Sequence, residues 1–332
     1  MPLVPMKLLL DEAVKGKYGV GAYNVNNMEQ VQAIMGAARE TKSPVVIQAS
    51  RGALKYAEMK YLWKLMEAAT ELNPDIPVAV HLDHGNSFDT CKQAIELGFT
   101  SVMMDGSLKE DGKTPTTFQE NVDVTAKVVE FAHARGVTVE GEIGTLGGIE
   151  DGHGSGVSHL TDPAEAAKFI KDTKLDALAL AIGTSHGAYK FKETPKLAME
   201  IVDEVRRLVP NFPLVMHGSS SVPQELVDAV NKYGGKMPNA KGVPIDQIQE
   251  GIRRGVAKIN VDTDGRMAIT AAIRKVFMET PEKFDPRDYL TPARAALQNL
   301  IAGKMRDFGT AGHAGDYAPK TLADMAKFYQ GK

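Results

Sequence analysis

The chain of 332 residues carries 39 Lys and Arg against 42 Asp and Glu, is 43% hydrophobic and holds one cysteine, Cys91. A net charge of −3 gives no electrostatic reason to expect nucleic acid or an anionic membrane as partner. A single thiol excludes an intramolecular disulfide, and there is no run of about 18 apolar residues to suggest a membrane helix.

The length suits one barrel with extra segments, or two ordinary domains. The amino-terminal stretch 1–17 lacks the apolar centre of a secretory signal, so a cytoplasmic location is the default. Eight short apolar runs then follow one another at 20–23, 45–49, 78–82, 101–104, 138–139, 178–182, 214–216 and 257–259. Most are continuous rather than alternating, the pattern of strands buried on both faces. Helical stretches separate them. Met28–Thr41 follows Asn26-Asn27, and Phe88–Leu97 follows Asn86-Ser87. Cys91 lies on the second of these and reads as a packed residue. His133 reads as a surface residue of a helix over 118–135. Asp162, Pro163 and Glu165 open a helix at 164–173 with a cap, a first-turn proline and an acidic third residue. Thr194-Pro195 opens another, to about 208, and Ile245–Arg254 is a third.

Two segments exceed the minimal strand–helix rhythm. The stretch 144–159 is Gly-rich, holds Glu150, Asp151 and His153, and is expected to act as a lid. The Pro/Gly-rich loop 234–244 has no functional reading. Residues from 281 to 332 form a carboxyl-terminal extension with helical pattern at 292–308 and 322–329, beyond a catalytic unit over 1–280.

Each apolar run ends in residues able to do chemistry. They are Asn24, Ser50, Asp83 with His84, Asp105, Glu140 with Glu142, His186, His217, and Asn260 with Asp262. Eight strand–helix units with such residues at the strand ends are the pattern of an α/β chain folded as a single (β/α)8 barrel. His84, His186 and His217 at three strand ends suggest a catalytic zinc, with a coordination position left open. Asp83 and His84 can both reach that site only if the backbone turns there, and Gly85-Asn86 is a turn signal. A glycine follows each of the three histidines, which would let a substrate approach the backbone. His81 reads as an inward support. Asp105 and Glu142 end neighbouring strands and would either bond at the rim or hold a second divalent ion. Gly218, Ser219, Ser220 and Ser221 after the seventh run, and Asn260 to Asp264 after the eighth, occupy the recurrent phosphate position of barrel enzymes. Lys190 and Arg266 would add positive charge.

The motifs HLDHG, EGEIGTLGGIEDG, AIGTSHGAYK, HGSSSVP and KINVDTDGR, in register from about residue 23 to 266, resemble those of the class II, zinc-dependent fructose-1,6-bisphosphate aldolases. The tail TPARAALQNLIAGKMRDFGTAGHAG is similar to that of the Calvin-cycle branch. The resemblance implies a barrel in which His84, His186 and His217 hold zinc and Asp83 exchanges the proton of the substrate C4 hydroxyl. It implies that Glu150 moves a proton at C3, and that Asp105 and Glu142 form a second or alternative metal site. Gly187, Lys190, Gly218, Ser219, Ser220, Asn260, Val261, Asp262 and Thr263 would hold the ketose phosphate. Asn24 is a further substrate contact, Ser50 would meet the aldehyde half, and Arg266 the distal phosphate. A monovalent cation (K+ or Na+) near the phosphate loop, a homodimer or homotetramer, and a phosphorylated sugar substrate complete the expectation. HGSSSVP has Ser where many bacterial members have Gly at the second residue after His. Asp264-Gly265-Arg266 has Gly where a bulkier residue is common.

The chemistry agrees. Retro-aldol cleavage needs an electron sink, and no Lys ends the sixth run to form a Schiff base, whereas a metal ion polarises a carbonyl instead. Tagatose 1,6-bisphosphate and sedoheptulose 1,7-bisphosphate are alternative substrates for the same machinery. A zinc hydrolase would need an early His-x-His pair, which is absent, and a non-catalytic sugar-phosphate binder would have no use for Asp83 and Glu150.

Overall fold

Eight parallel strands close on themselves in chain order. They are β1 (Val20–Asn24), β2 (Val45–Ser50), β3 (Val78–Gly85), β4 (Ser101–Met104), β5 (Thr138–Ile143), β6 (Ala177–Leu180), β7 (Leu214–Met216) and β8 (Val256–Val261). The computed structural model describes residues 3–111, 114–145, 148, 159–189, 191, 195–318 and 320–331. The helices are α1 (Met6–Gly16), α2 (Met28–Thr41), α3 (Arg51–Tyr56), α4 (Met59–Glu71), α5 (Phe88–Leu97), α6 (Phe118–His133), α7 (Pro163–Thr173), α8 (Met199–Leu208), α9 (Gln224–Lys232), α10 (Ile245–Arg254), α11 (Thr263–Glu279), α12 (Pro286–Asp307) and α13 (Leu322–Gln330). No described helix is long and apolar enough to cross a membrane.

The unbroken burial of β2, β5 and β8 arises because both strand faces are covered. One face packs with the helices in a shell that contains Ile47, Val78, Val80, Leu82, Val102, Ile259 and Val261. The other turns small residues such as Ala22, Ala79, Ala177, Ala179 and Ala257 inward against Met6, Leu9 and Leu10 of α1. Helix α1 therefore plugs the amino-terminal mouth of the barrel, pinned where Val4 N donates to Val78 O at 2.8 Å. Above this plug the interior turns polar, with Gln48, His81, Ser101, Glu140 and Lys258 each fully buried.

Three helix starts carry the expected caps. Asn27, Ser87 and Asp162 accept backbone N–H bonds at the heads of α2, α5 and α7. Three expectations fail. The helix expected from Thr194-Pro195 begins only at Met199. Gln247 bonds both Leu197 N and Pro195 O, and Ala198 N donates to Ile182 O, so this backbone is claimed before a helix can start. Helix α12 begins at Asp285-Pro286 rather than at Pro292, which lies inside it. His133 is not an open surface residue. Its Nε2 lies 2.9 Å from Asp176 and its ring stacks on Tyr329 of α13 at 3.6 Å. Helix α12 lies against α2 and α11.

Candidate metal centre and active site

The carboxyl end of β3 delivers two functional side chains because its backbone is irregular there. The pairing with β4 shifts register between Leu82 and Gly85, and His84 adopts φ +51°. That local turn lets Asp83 and His84 face the same site, as the alternation rule requires. Gly85 serves packing: a Cβ there would meet Met103 O at 2.6 Å and Cys91 Sγ at 2.8 Å. Gly218, at φ +60°, presses on the backbone of Ser185. At these two positions the protein's own packing already requires glycine. Gly187 has φ +84°.

His84, His186 and His217 offer ring nitrogens that all lie within 4.8 Å of one another. Their ring centroids are 4.8 to 6.3 Å apart, with planes at 74°. The carboxylate contacts of the rings suit a cation. His84 Nδ1 lies 3.0 Å from Asp105 Oδ2, and His217 Nε2 lies 2.7 Å from Glu140 Oε1. In the neutral rings, with those nitrogens donating to carboxylates, the opposite nitrogens carry the lone pairs. His84 Nε2 is buried without a hydrogen bond among the described residues, and His217 Nδ1, also buried, faces Glu142 Oε2 at 3.3 Å. Buried, lone-pair imidazole nitrogens backed by carboxylates fit a divalent transition metal. His84, Asp105 and Glu142 form a second group of ligand atoms within the same 4.8 Å, sharing His84. Burial works against charge on His84, but Asp83, Asp105 and Glu142 outweigh it and raise its pKa well above the ordinary value. Burial also opposes ionisation of Asp105, yet His84 and Ser107 hold its pKa down at about 2.

Asp83 is 2% exposed. Asn24 Nδ2 donates to its Oδ2 at 2.9 Å and Asn260 Nδ2 to its Oδ1 at 3.1 Å. Each amide is itself oriented. Asn24 Oδ1 accepts from Gln48 Nε2 at 2.6 Å, and Asn260 Oδ1 accepts from Lys258 Nζ at 2.8 Å. Lys258 also pairs with Glu140 at 3.0 Å. Glu140 therefore joins Lys258, His217 and, at 3.6 Å, His81, whose Nδ1 meets Ser101 Oγ at 2.8 Å. Burial and then Lys258 push the His81 pKa down to about 3. This is the inward support expected of His81. Lys258, Glu140 and Gln48 had no assigned role in the sequence reading. Their signal is a charged or amide residue inside an otherwise apolar strand, which a doubly covered sheet tolerates only when paired.

The loops after β7 and β8 meet. Ser220 Oγ accepts from Asp262 N at 3.2 Å, and Ser219 Oγ bonds Met216 O and His217 O. Asn260, Asp262 and Thr263 lead into α11, and Arg266 folds back onto Asp262 with Nε–Oδ1 at 2.8 Å. The Val261 side chain is buried in the shell, so any ligand contact falls to its backbone. Ser50 caps α3, accepting from Ala53 N at 3.2 Å. Thr145 and His159 bond each other at 3.0 Å across the base of the 144–159 loop, and Gly148 lies against the backbone of His186. Glu150, Lys190 and most of the expected lid lie outside the described residues.

Comparison with known sequences decides the family. The family model described as fructose-bisphosphate aldolase class-II matches residues 4–313. The chain belongs to the class II fructose-bisphosphate aldolase family. A protein of Giardia intestinalis named fructose-bisphosphate aldolase is 56% identical over 332 residues, covering 99% of this chain and all of the relative. The class 2 fructose-bisphosphate aldolase of a Synechocystis strain is 53% identical over 344 residues, covering 99% of this chain and 96% of the relative. Among solved structures, the YdjI aldolase from Escherichia coli K12 superposes with a TM-score of 0.76 at 28% identity, covering 94% of this chain and 99% of that one. In this class II chain the candidate metal-ligand groups and the oriented Asp83 stand together at the carboxyl ends of the strands, where barrel enzymes carry their chemistry.

Proposed function

We propose that this chain is a lyase that reversibly cleaves fructose 1,6-bisphosphate to dihydroxyacetone phosphate and glyceraldehyde 3-phosphate. The observation that carries the reading is the position of Asp83, which is held by two amides beside a cluster of three mutually close histidines. His84, His186 and His217 would hold zinc, with Asp105 and Glu142 as a second or alternative site that shares His84. Bound zinc supplies a Lewis acid that draws electron density from the ketose carbonyl. Asp83 accepts the C4 hydroxyl proton as the C3–C4 bond breaks and returns it in the condensation direction. Asn24 donates to one Asp83 oxygen and Asn260 to the other, which orients the carboxylate at the rim. Glu150 is the candidate proton carrier at C3.

Gly187, Lys190, Gly218, Ser219, Ser220, Asn260, Val261, Asp262 and Thr263 would bind the ketose phosphate through backbone N–H groups, hydroxyls and the head of α11. Ser50 would meet the aldehyde half and Arg266 the distal phosphate. A K+ or Na+ ion near the phosphate loop, a homodimeric or homotetrameric assembly and a cytoplasmic location belong to the same reading.

The test is cleavage of fructose, tagatose and sedoheptulose bisphosphates side by side, before and after chelation. Loss of fructose-bisphosphate cleavage on chelation, regained with zinc, is expected. Borohydride with substrate should trap no adduct, because Lys258 is fully buried and bound to Glu140 and Asn260. A trapped lysine adduct, or chelator-resistant cleavage, overturns the reading. Faster turnover of another sugar would reassign the substrate while keeping the chemistry.

A further inference from the structure

The loop after β7 contains a strained residue. Val222 has φ +48°. A β-branched side chain rarely enters the left-handed region, because its Cβ substituents crowd the backbone there. Such a conformation persists only when surrounding groups over-determine it. Here the surrounding group is the carboxylate of Asp264, on the first turn of α11. Its Oδ1 accepts from Val222 N at 2.7 Å, and its Oδ2 accepts from Ser221 N at 3.0 Å and Ser221 Oγ at 3.1 Å. Asp264 is 0% exposed. A carboxylate buried this deeply needs a counter-charge. Lys304 of α12 provides it, with Nζ 2.9 Å from Asp264 Oδ2, and also donates to Ser221 Oγ. Lys304 is itself 4% exposed, so the pair is withdrawn from solvent.

The same loop is braced from its other side by the 234–244 segment. Val243 N donates to Ser220 O at 3.1 Å, and Gly242 lies so close to the backbone of Ser220 and Ser221 that a Cβ would collide with both. Lys241 N reaches Ala188 O at 3.2 Å, next to Gly187. Strand end, α11, α12 and the 234–244 segment thus converge on five residues, 218–222.

We propose that Lys304, acting through Asp264, is a positioning residue that sets the phosphate-gripping conformation of residues 218–222. This rests on the reading that the loop binds the ketose phosphate. Removing the ammonium leaves Asp264 buried without its cation. The carboxylate then protonates or draws in water, its hold on Ser221 and Val222 weakens, and Val222 relaxes out of the left-handed region. The N–H groups and hydroxyls of Gly218, Ser219 and Ser220 lose their shared geometry, while Asp83, His84 and His186, on other strand ends, keep theirs, and the His217 ring stays anchored on Glu140 of β5.

The test uses the zinc-loaded enzyme and inorganic phosphate as a competitive inhibitor. Lys304→Met should raise both the inhibition constant of phosphate and the KM for fructose 1,6-bisphosphate about tenfold, with kcat within about threefold and zinc content unchanged. Lys304→Arg should recover most of the loss. The Asp264→Asn/Lys304→Met double variant should lose no more than the worse single change, because the two act as one unit. Ser221→Ala removes only the hydroxyl between them and should give a smaller shift in the same direction, which keeps the test open if Lys304→Met does not fold. Unchanged phosphate inhibition in folded Lys304→Met and Ser221→Ala, or a fall in kcat alone, overturns the proposal. Wild-type enzyme that phosphate does not inhibit would overturn the phosphate-loop reading itself.

Discussion

The two sides of the barrel wall obey different rules. The outer side of each strand meets the helices in a shell of Val, Ile, Leu, Phe and Met. Above the α1 plug, the inner side carries Gln48, His81, Glu140 and Lys258, all fully buried and bonded to one another or to the residues above them. The shell is non-directional and tolerates exchange of one apolar shape for another. The inner layer is directional: each group fixes the orientation of the next, and the chain of bonds ends on Asp83 and His217. The same strands carry both, so stability and chemistry are interleaved residue by residue.

The comparison is broken most severely at Lys258. Lys258→Met leaves Glu140 buried without its cation and should cost about 3–5 kcal/mol of folding stability, measured by urea denaturation. Zinc affinity should fall roughly 10- to 100-fold, because Glu140 also orients His217. The Glu140→Gln/Lys258→Met pair should recover much of the stability but not the zinc affinity. Recovery of both would mean that the inner layer is only structural.

Ile47→Ala in the shell is the control. It should cost roughly 2–5 kcal/mol through lost burial and a residual cavity, with zinc affinity and kcat unchanged. Altered metal binding in this variant would erase the distinction between the two sides.

Asp83→Ala sharpens the top of the inner layer. Turnover should fall by about 10²-fold or more, on the order of 3 kcal/mol of transition-state stabilisation, with zinc content and substrate binding largely retained. If KM rises and kcat survives, Asp83 binds substrate and does not carry the proton.

The smallest effect concerns Cys91, on the shell side at 1% exposure, where burial pushes its thiol pKa up to about 12. Native enzyme should resist iodoacetamide at neutral pH with full activity, and the thiol should become reactive only on unfolding. Fast native modification would place an opening in the shell.

The strand–helix rhythm, the three histidines and Asp83 were legible in the sequence for a physical reason. Doubly covered strands must be short apolar runs, and residues that follow them must lie at the strand ends. Helix heads at Met28, Phe88 and Pro163 were legible because caps act over three residues. Tertiary structure alone decided what depends on contacts far apart in the chain. Lys258 meets Glu140 across 118 residues, His133 is covered by Tyr329, and Gln247 delays the start of α8. Lys304 reaches a loop 83 residues away. Hydrogen-bond partners and buried counter-charges are properties of three-dimensional proximity. The sequence can announce that a buried Lys or Asp needs a partner, but only the closed barrel and the returning helix α12 select which one.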